Sequence, residues 1–182
     1  MASLISHAVA ALGIGAGFYK PELPKRVWVF GVACSILPDA DVIGFHFGVR
    51  YGDFWGHRGF THSLFFAALI AALAVLIAFR NIASGERKLL WFYFFLATAS
   101  HGLLDAMTDG GLGVAFFSPF DSKRYFLPWR PILVSPIGVT RFFSPRGLAV
   151  LRGEIFWIWL PAAFLAFCAC VFRRFRTPQS NQ

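Results

Sequence analysis

The stretch SLFFAALIAALAVLIAF, residues 63–79, runs seventeen residues without a charge. As a helix rising 1.5 Å per residue it covers roughly 25 Å, so with its neighbours it crosses a hydrocarbon core of about 30 Å. The rest of the chain fits that reading. It has 182 residues, of which 57% are hydrophobic and 14% charged, with a mean hydropathy of +0.61. Soluble domains average about 25% charged residues, and one this small leaves too much surface exposed to hide so apolar a composition. The formal net charge is +8. Nucleic acid and anionic lipid are the usual partners of such a balance. The apolar content selects membrane lipid, and no nucleic acid is expected.

Working outward, four more apolar stretches read as helices: 4–18, 27–45, 89–107 and 155–172. The fold class is therefore all-α, a polytopic membrane bundle of about four or five embedded helices. One domain is expected over 1–176, with a disordered tail at 177–182. The stretch 4–18 lacks a basic leader and contains His7, so a cleaved signal peptide is not expected. Its glycines, Gly13, Gly15 and Gly17, permit close helix contact. Pro38 ends or kinks the second helix. Residues 112–153 form a long, aromatic and basic loop that lies on the bilayer surface or caps the helices. Cys34, Cys168 and Cys170 sit in apolar runs without CxxC spacing and read as small hydrophobes.

Directly before the stretch 63–79 stands His57-Arg58-Gly59-Phe60-Thr61-His62-Ser63. If the helices alternate direction, His7, Asp39, Asp41, His57, His62, His101, Asp105 and Glu154 all fall on one side of the membrane. Composition does not require that, and it predicts one site. Ionisable groups between apolar flanks are costly unless paired, protonated or bound to a cation. His101 and Asp105 lie at i, i+4 on one helix face. His57 and His62, five apart, diverge by about 140° on an ideal helix, so at least one belongs to a non-helical lead-in. His62, next to the span, is the firmer ligand.

Histidine with carboxylate suits zinc most directly, and manganese or iron where carboxylates dominate. The candidate ligands His7, Asp39, Asp41, His57, His62, His101 and Asp105 serve one ion or two, the latter about 3.5–4 Å apart. A metal-activated water would be the nucleophile, Asp41 or Glu154 the general base, and Arg58, with Lys123 or Arg124, the phosphate contact. His46 reads as an exposed loop residue and Asp109 as a cap or turn residue.

Leu37-Pro38-Asp39-Ala40-Asp41, the His57–Ser63 motif and Ser100-His101-Gly102-Leu103-Leu104-Asp105 together resemble the YdjM-like inner-membrane metal-dependent hydrolases. Thr108-Asp109-Gly110-Gly111, Phe117-Ser118-Pro119-Phe120 and an early histidine such as His7 fit the same pattern, over roughly residues 3–130. The resemblance implies a bacterial or archaeal inner-membrane protein with hydrolase activity. The expected substrate is an anionic phosphoester of a lipid or lipid-linked molecule, since polar ligands at the ends of spans meet headgroups. The alternatives are a metal-binding transporter and a non-catalytic membrane adaptor. A transporter would continue its polar residues through the midplane, whereas 63–79 is bare. Lys20, Lys25, Arg26, Arg80, Arg87, Lys88 and the tail arginines occupy the other side, which the positive-inside rule makes cytoplasmic. The site is then expected on the outer, periplasmic face.

Overall fold

The structure is a computed structural model describing residues 1–136 and 139–176. The tail at 177–182 lies outside the described residues. The fold is all-helical, as the apolar stretches predict. In chain order it comprises α1 (Leu4–Gly17), α2 (Arg26–Ile36), α3 (Leu64–Ala78), α4 (Ser84–Ala106), α5 (Val139–Phe142), α6 (Pro145–Glu154) and α7 (Leu160–Arg176). Among the described residues, extended pairing is limited to two isolated bridges, Thr108 with Ile132 and Val114 with Tyr125.

Among the described residues, three helical runs are long and apolar enough to cross a membrane: Arg26–Phe47, Ser84–Ala106 and Pro145–Phe175. Helices α1 and α3 are shorter, with 14 and 15 residues. The outward faces suit a lipid surround. Leu76 and Ile77 of α3 are 61% and 75% exposed, and Phe164 and Phe167 of α7 are exposed to a similar degree. Such a belt has no counterpart on a water-soluble monomer.

Two proline positions reshape the expected helices. Pro38 has no N–H to continue an α ladder. The chain does not stop there but tightens into a 3₁₀ run over Leu37–Phe47, closed by Gly48 at φ 81°. Near Pro161 the helix widens instead. Ile155–Trp159 is a π turn in which the Leu160 N–H reaches the Ile155 carbonyl. Helices α6 and α7 thereby join across it. The last helix thus begins at Pro145, not at residue 155, and its first part comes out of what the sequence presents as loop. Helix α4 likewise starts five residues ahead of the apolar stretch.

Helix α1 packs on α2, α4 and α7, and α4 on α2 and α3. Small residues make this possible. A Cβ on Gly13 would lie 2.8 Å from Ala162 Cβ, and one on Gly31 would lie within 2.0 Å of the Tyr93 hydroxyl. Tyr93 itself is fully buried and donates to the Ala11 carbonyl at 3.2 Å. Gly17 has nothing within 4 Å, so not every glycine of α1 serves packing. The far end of the bundle is basic. Lys20 pairs with Glu86 at 2.6 Å, joining the α1–α2 loop to the first turn of α4. Arg173 of α7 reaches the same end, over the Tyr19 ring and onto the Ala16 carbonyl.

Gly31→Ala should destabilise the bundle by about 1–3 kcal/mol through overpacking against Tyr93. Thermal unfolding in detergent should show a lowered midpoint for Gly31→Ala and an unshifted one for Gly17→Ala.

Candidate metal centre

At the other end of the bundle, four buried ligand atoms converge. Asp39, His62, His101 and Asp105 each present one atom within 4.8 Å of the others. His62 Nε2 stands 3.1 Å from His101 Nε2. Asp39 Oδ1 is 3.3 Å from His101 Nε2 and 3.7 Å from His62 Nε2. Asp105 Oδ2 is 3.7 Å from His62 Nε2. Ligands 2.0–2.1 Å from a tetrahedral ion stand about 3.3 Å apart, so these spacings suit a common ion.

Local structure explains the convergence. Residues i and i+2 diverge by about 160° on an α-helix but by about 120° on a 3₁₀ helix, which brings Asp39 and Asp41 nearer to one face. His62 closes a short 3₁₀ turn, Phe60–His62, just before α3. It approaches α4 over Gly102, where a Cβ would come within 2.8 Å of the His62 carbonyl oxygen.

Each ligand is held from behind. The Nδ1–H of His101 donates to the Ser35 carbonyl at 2.7 Å, leaving Nε2 free. His62 Nδ1 meets Thr61 Oγ1 at 3.0 Å, and that hydroxyl donates to Asp41 Oδ2 at 2.7 Å. Asp105 Oδ2 accepts from Arg58 Nε at 3.0 Å, and its Oδ1 from the Ala2 N–H at 2.8 Å. Such partners fix the tautomer and orientation of metal ligands. Both Asp39 oxygens, by contrast, are buried without a hydrogen-bond donor. That omission is expensive in a bundle interior unless a cation meets them. Three carboxylates (Asp39, Asp41, Asp105) against one guanidinium (Arg58) leave a formal −2, which a divalent cation cancels. The residues present therefore fit a divalent metal. Burial works against the charged form of His62, but Asp39 and Asp41 outweigh it and raise its pKa to about 9. A metal ion arriving there displaces a proton.

The remaining candidates occupy distinct places. Asp41, His57 and His62 form a second convergent group that shares His62 with the first. His57 Nδ1 donates to Asp41 Oδ1 at 2.8 Å, while its Nε2 is buried and unpartnered. Burial outweighs the Asp41 contact and lowers the His57 pKa. His7 is fully buried and stacks on His101 with ring centroids 3.6 Å apart. Its Nε2 lies 3.5 Å from Asp105 Oδ1, but it belongs to neither convergent group.

Arg58 is fully buried at φ 63° and donates to Asp105, the Gly110 carbonyl and Thr108 Oγ1. Its guanidinium thus faces protein, not an open phosphate position. Arg124 donates to the carbonyls of His57, Tyr51 and Asp53, stapling the loop that carries His57. Lys123 is exposed. Glu154 lies within a continuous helix instead of at a helix start, and it accepts from the Ser3 N–H and the Ser3 and Ser6 hydroxyls. Its contacts clamp the start of α1 to α6. Asp109 accepts from the Val134 N–H as a turn residue, and His46 is exposed. Thr61, Thr108, Gly102 and the Ser35 carbonyl escape sequence reading, although three of the four lie inside or beside the quoted motifs.

Residues 1–177 match the YdjM inner membrane protein family, well past the reach of the motifs. The chain belongs to that family. Inner membrane protein YbcI of Escherichia coli (strain K12) is 41% identical over 165 residues, covering 91% of this chain and 95% of that protein. No solved structure matches the chain. Membership places this YdjM-family chain in the bacterial inner membrane.

Gly102→Ala should push His62 away from His101 and lower metal occupancy several-fold without unfolding the bundle. Elemental analysis of purified protein, with circular dichroism as the folding check, tests this. Occupancy equal to wild type would show that the close approach over Gly102 does not set the ligand spacing.

Proposed function

We propose that this protein is a membrane-embedded, metal-dependent phosphoesterase acting on a lipid or lipid-linked substrate. One observation carries the reading: Asp39, His62, His101 and Asp105 converge while both Asp39 oxygens stay buried without a donor. A set of four protein ligands that also admits water and substrate calls for an ion tolerating five or six neighbours, zinc in expanded coordination or manganese or iron. When bound, such an ion supplies Lewis acidity to a phosphoryl oxygen and acidifies a water.

The chain's own groups do the rest. His57 receives the proton of the attacking water at Nε2, the free end of a ring whose Nδ1–H is held by Asp41. Asp41 is thus a positioning residue for His57 and, through Thr61, for His62. As the water oxygen bonds to phosphorus, the ester P–O bond breaks and the leaving alkoxide takes up the proton that His57 received. Arg58 keeps Asp105 ionised and oriented. Glu154 holds the start of α1, and just ahead of that helix the Ala2 N–H closes on Asp105.

The basic end of the bundle supports one orientation. Lys20, Lys25, Arg26, Arg80, Arg87 and Lys88 lie in short loops or at their edges, and such loops are retained in the cytoplasm. The centre then faces the periplasm.

Purified protein in nanodiscs should hydrolyse phosphatidic acid or an isoprenyl phosphate, lose activity to a chelator and regain it with zinc or manganese. His57→Gln should lower kcat by about 10²–10⁴-fold, the usual contribution of a general base, with metal content unchanged. Asp39→Ala should lose metal and activity together. A protein that holds metal yet turns over no member of a phosphoester panel would be a metal-binding protein and not an esterase.

A further inference from the structure

Beside the metal centre lies a cavity of about 740 Å³. Leu4 and Ile5 of α1, Ala33 and Ile36 of α2, Ile43 of the 3₁₀ run and Phe142 of α5 form its main walls. Among the described residues Asp39 is the one charged side chain in its lining. Asp39 is only 4% exposed, neither of its oxygens has a donor, and its Oδ1 stands 3.3 Å from His101 Nε2. The cavity therefore runs from an apolar mouth to a ligand of the metal centre. Two of its lining residues, Ile43 and Ile5, are 58% and 47% exposed, so the cavity is open to the bundle surface.

The chemistry of the occupant follows from that gradient. An apolar cavity offers water no hydrogen bonds and stays dry. A polar metabolite would lose its hydration along most of the length. A ligand that fits is apolar over nearly all of its body and anionic at one end, and it enters from the surrounding bilayer. The volume lies within the range of roughly 300–1,000 Å³ that accommodates one small ligand.

We infer that this cavity holds a single hydrocarbon chain of a membrane lipid, with its phosphate-bearing end at Asp39. The inference rests on the phosphoesterase reading for the identity of the end group, and on the cavity alone for the chain. It also separates two jobs: the metal centre selects a phosphate, and the walls select a long chain over a soluble phosphoester.

The test uses the full chain in phosphatidylcholine nanodiscs doped with a phosphatidic acid that carries a diazirine at mid-chain. After illumination, adducts should concentrate in tryptic peptides 27–50 and 142–146, several-fold above peptide 59–80, whose α3 residues face lipid. Excess unlabelled phosphatidic acid should suppress them. Ala33→Trp or Ile43→Trp, each filling the cavity from its wall, should reduce the adducts several-fold and leave metal content unchanged. Adducts spread evenly over the outer faces of α3 and α7, or unchanged by both substitutions, would overturn the inference. Turnover keeps the two readings apart. Adducts in the cavity without hydrolysis would sink the esterase and leave the chain site standing. Hydrolysis of phosphatidic acid as fast in Ala33→Trp and Ile43→Trp as in wild type would sink the chain site and leave the esterase. If both hold, the two substitutions slow phosphatidic acid and spare p-nitrophenyl phosphate.

Discussion

A carboxylate removed from water has to be met by donors or by positive charge, and in a bilayer few of either are at hand. Asp105 is where this constraint is met most fully. Its two oxygens receive the Arg58 guanidinium and the Ala2 amide, so one side chain ties the end of α4 to the loop before α3 and to the start of α1. Arg58 then needs partners for its remaining nitrogens and finds them in Thr108 and Gly110. The turn after α4 is thereby drawn under the loop, and Gly111, at φ 91°, must be bare because a Cβ there would lie 2.7 Å from Arg58 Nη1. Charge compensation at one residue thus dictates backbone shape in three segments.

Asp39 shows the same constraint left open. It shares the burial of Asp105 but none of its donors. The contrast separates a carboxylate that the protein neutralises from one that it keeps for something else. His57 repeats the contrast among the histidines. One nitrogen is tethered to Asp41 and the other is free, whereas His101 is anchored at Nδ1 and faces His62 at Nε2. Buried polar atoms without a partner therefore gather here, both Asp39 oxygens, His57 Nε2 and the two ring nitrogens of His7, beside the fully engaged Asp105 and Arg58.

Much of this was legible in the sequence, for physical reasons. Apolar runs of seventeen or more residues announce spans whatever their tertiary setting, and alternation of direction puts His62, His101 and Asp105 on one side. Membership of a common cluster followed from that sidedness. The roles did not. Arg58 next to two histidines reads as an anion contact, yet its partners come from residues 105–110, which sequence adjacency does not reveal. Glu154 reads as a helix-start residue because the scattered arginines and glycines before it obscure α6, and Pro161 marks a helix irregularity without saying that it is a π turn joining α6 to α7. Gly102 lies in plain view inside a motif, but only the close passage of the His62 backbone explains it.

The clamp between Ser3 and Glu154 joins residues 151 positions apart, and the Ala2–Asp105 bond spans 103. Contacts of that separation form late, because a long intervening chain has to be ordered first. Helices α3 and α4, by contrast, are near neighbours and pair locally. During synthesis α1 is therefore made long before α6, the helix whose Glu154 holds its start. Completion of the Asp39, His62, His101 and Asp105 cluster is then an event of assembly, governed by when the C-terminal helix arrives.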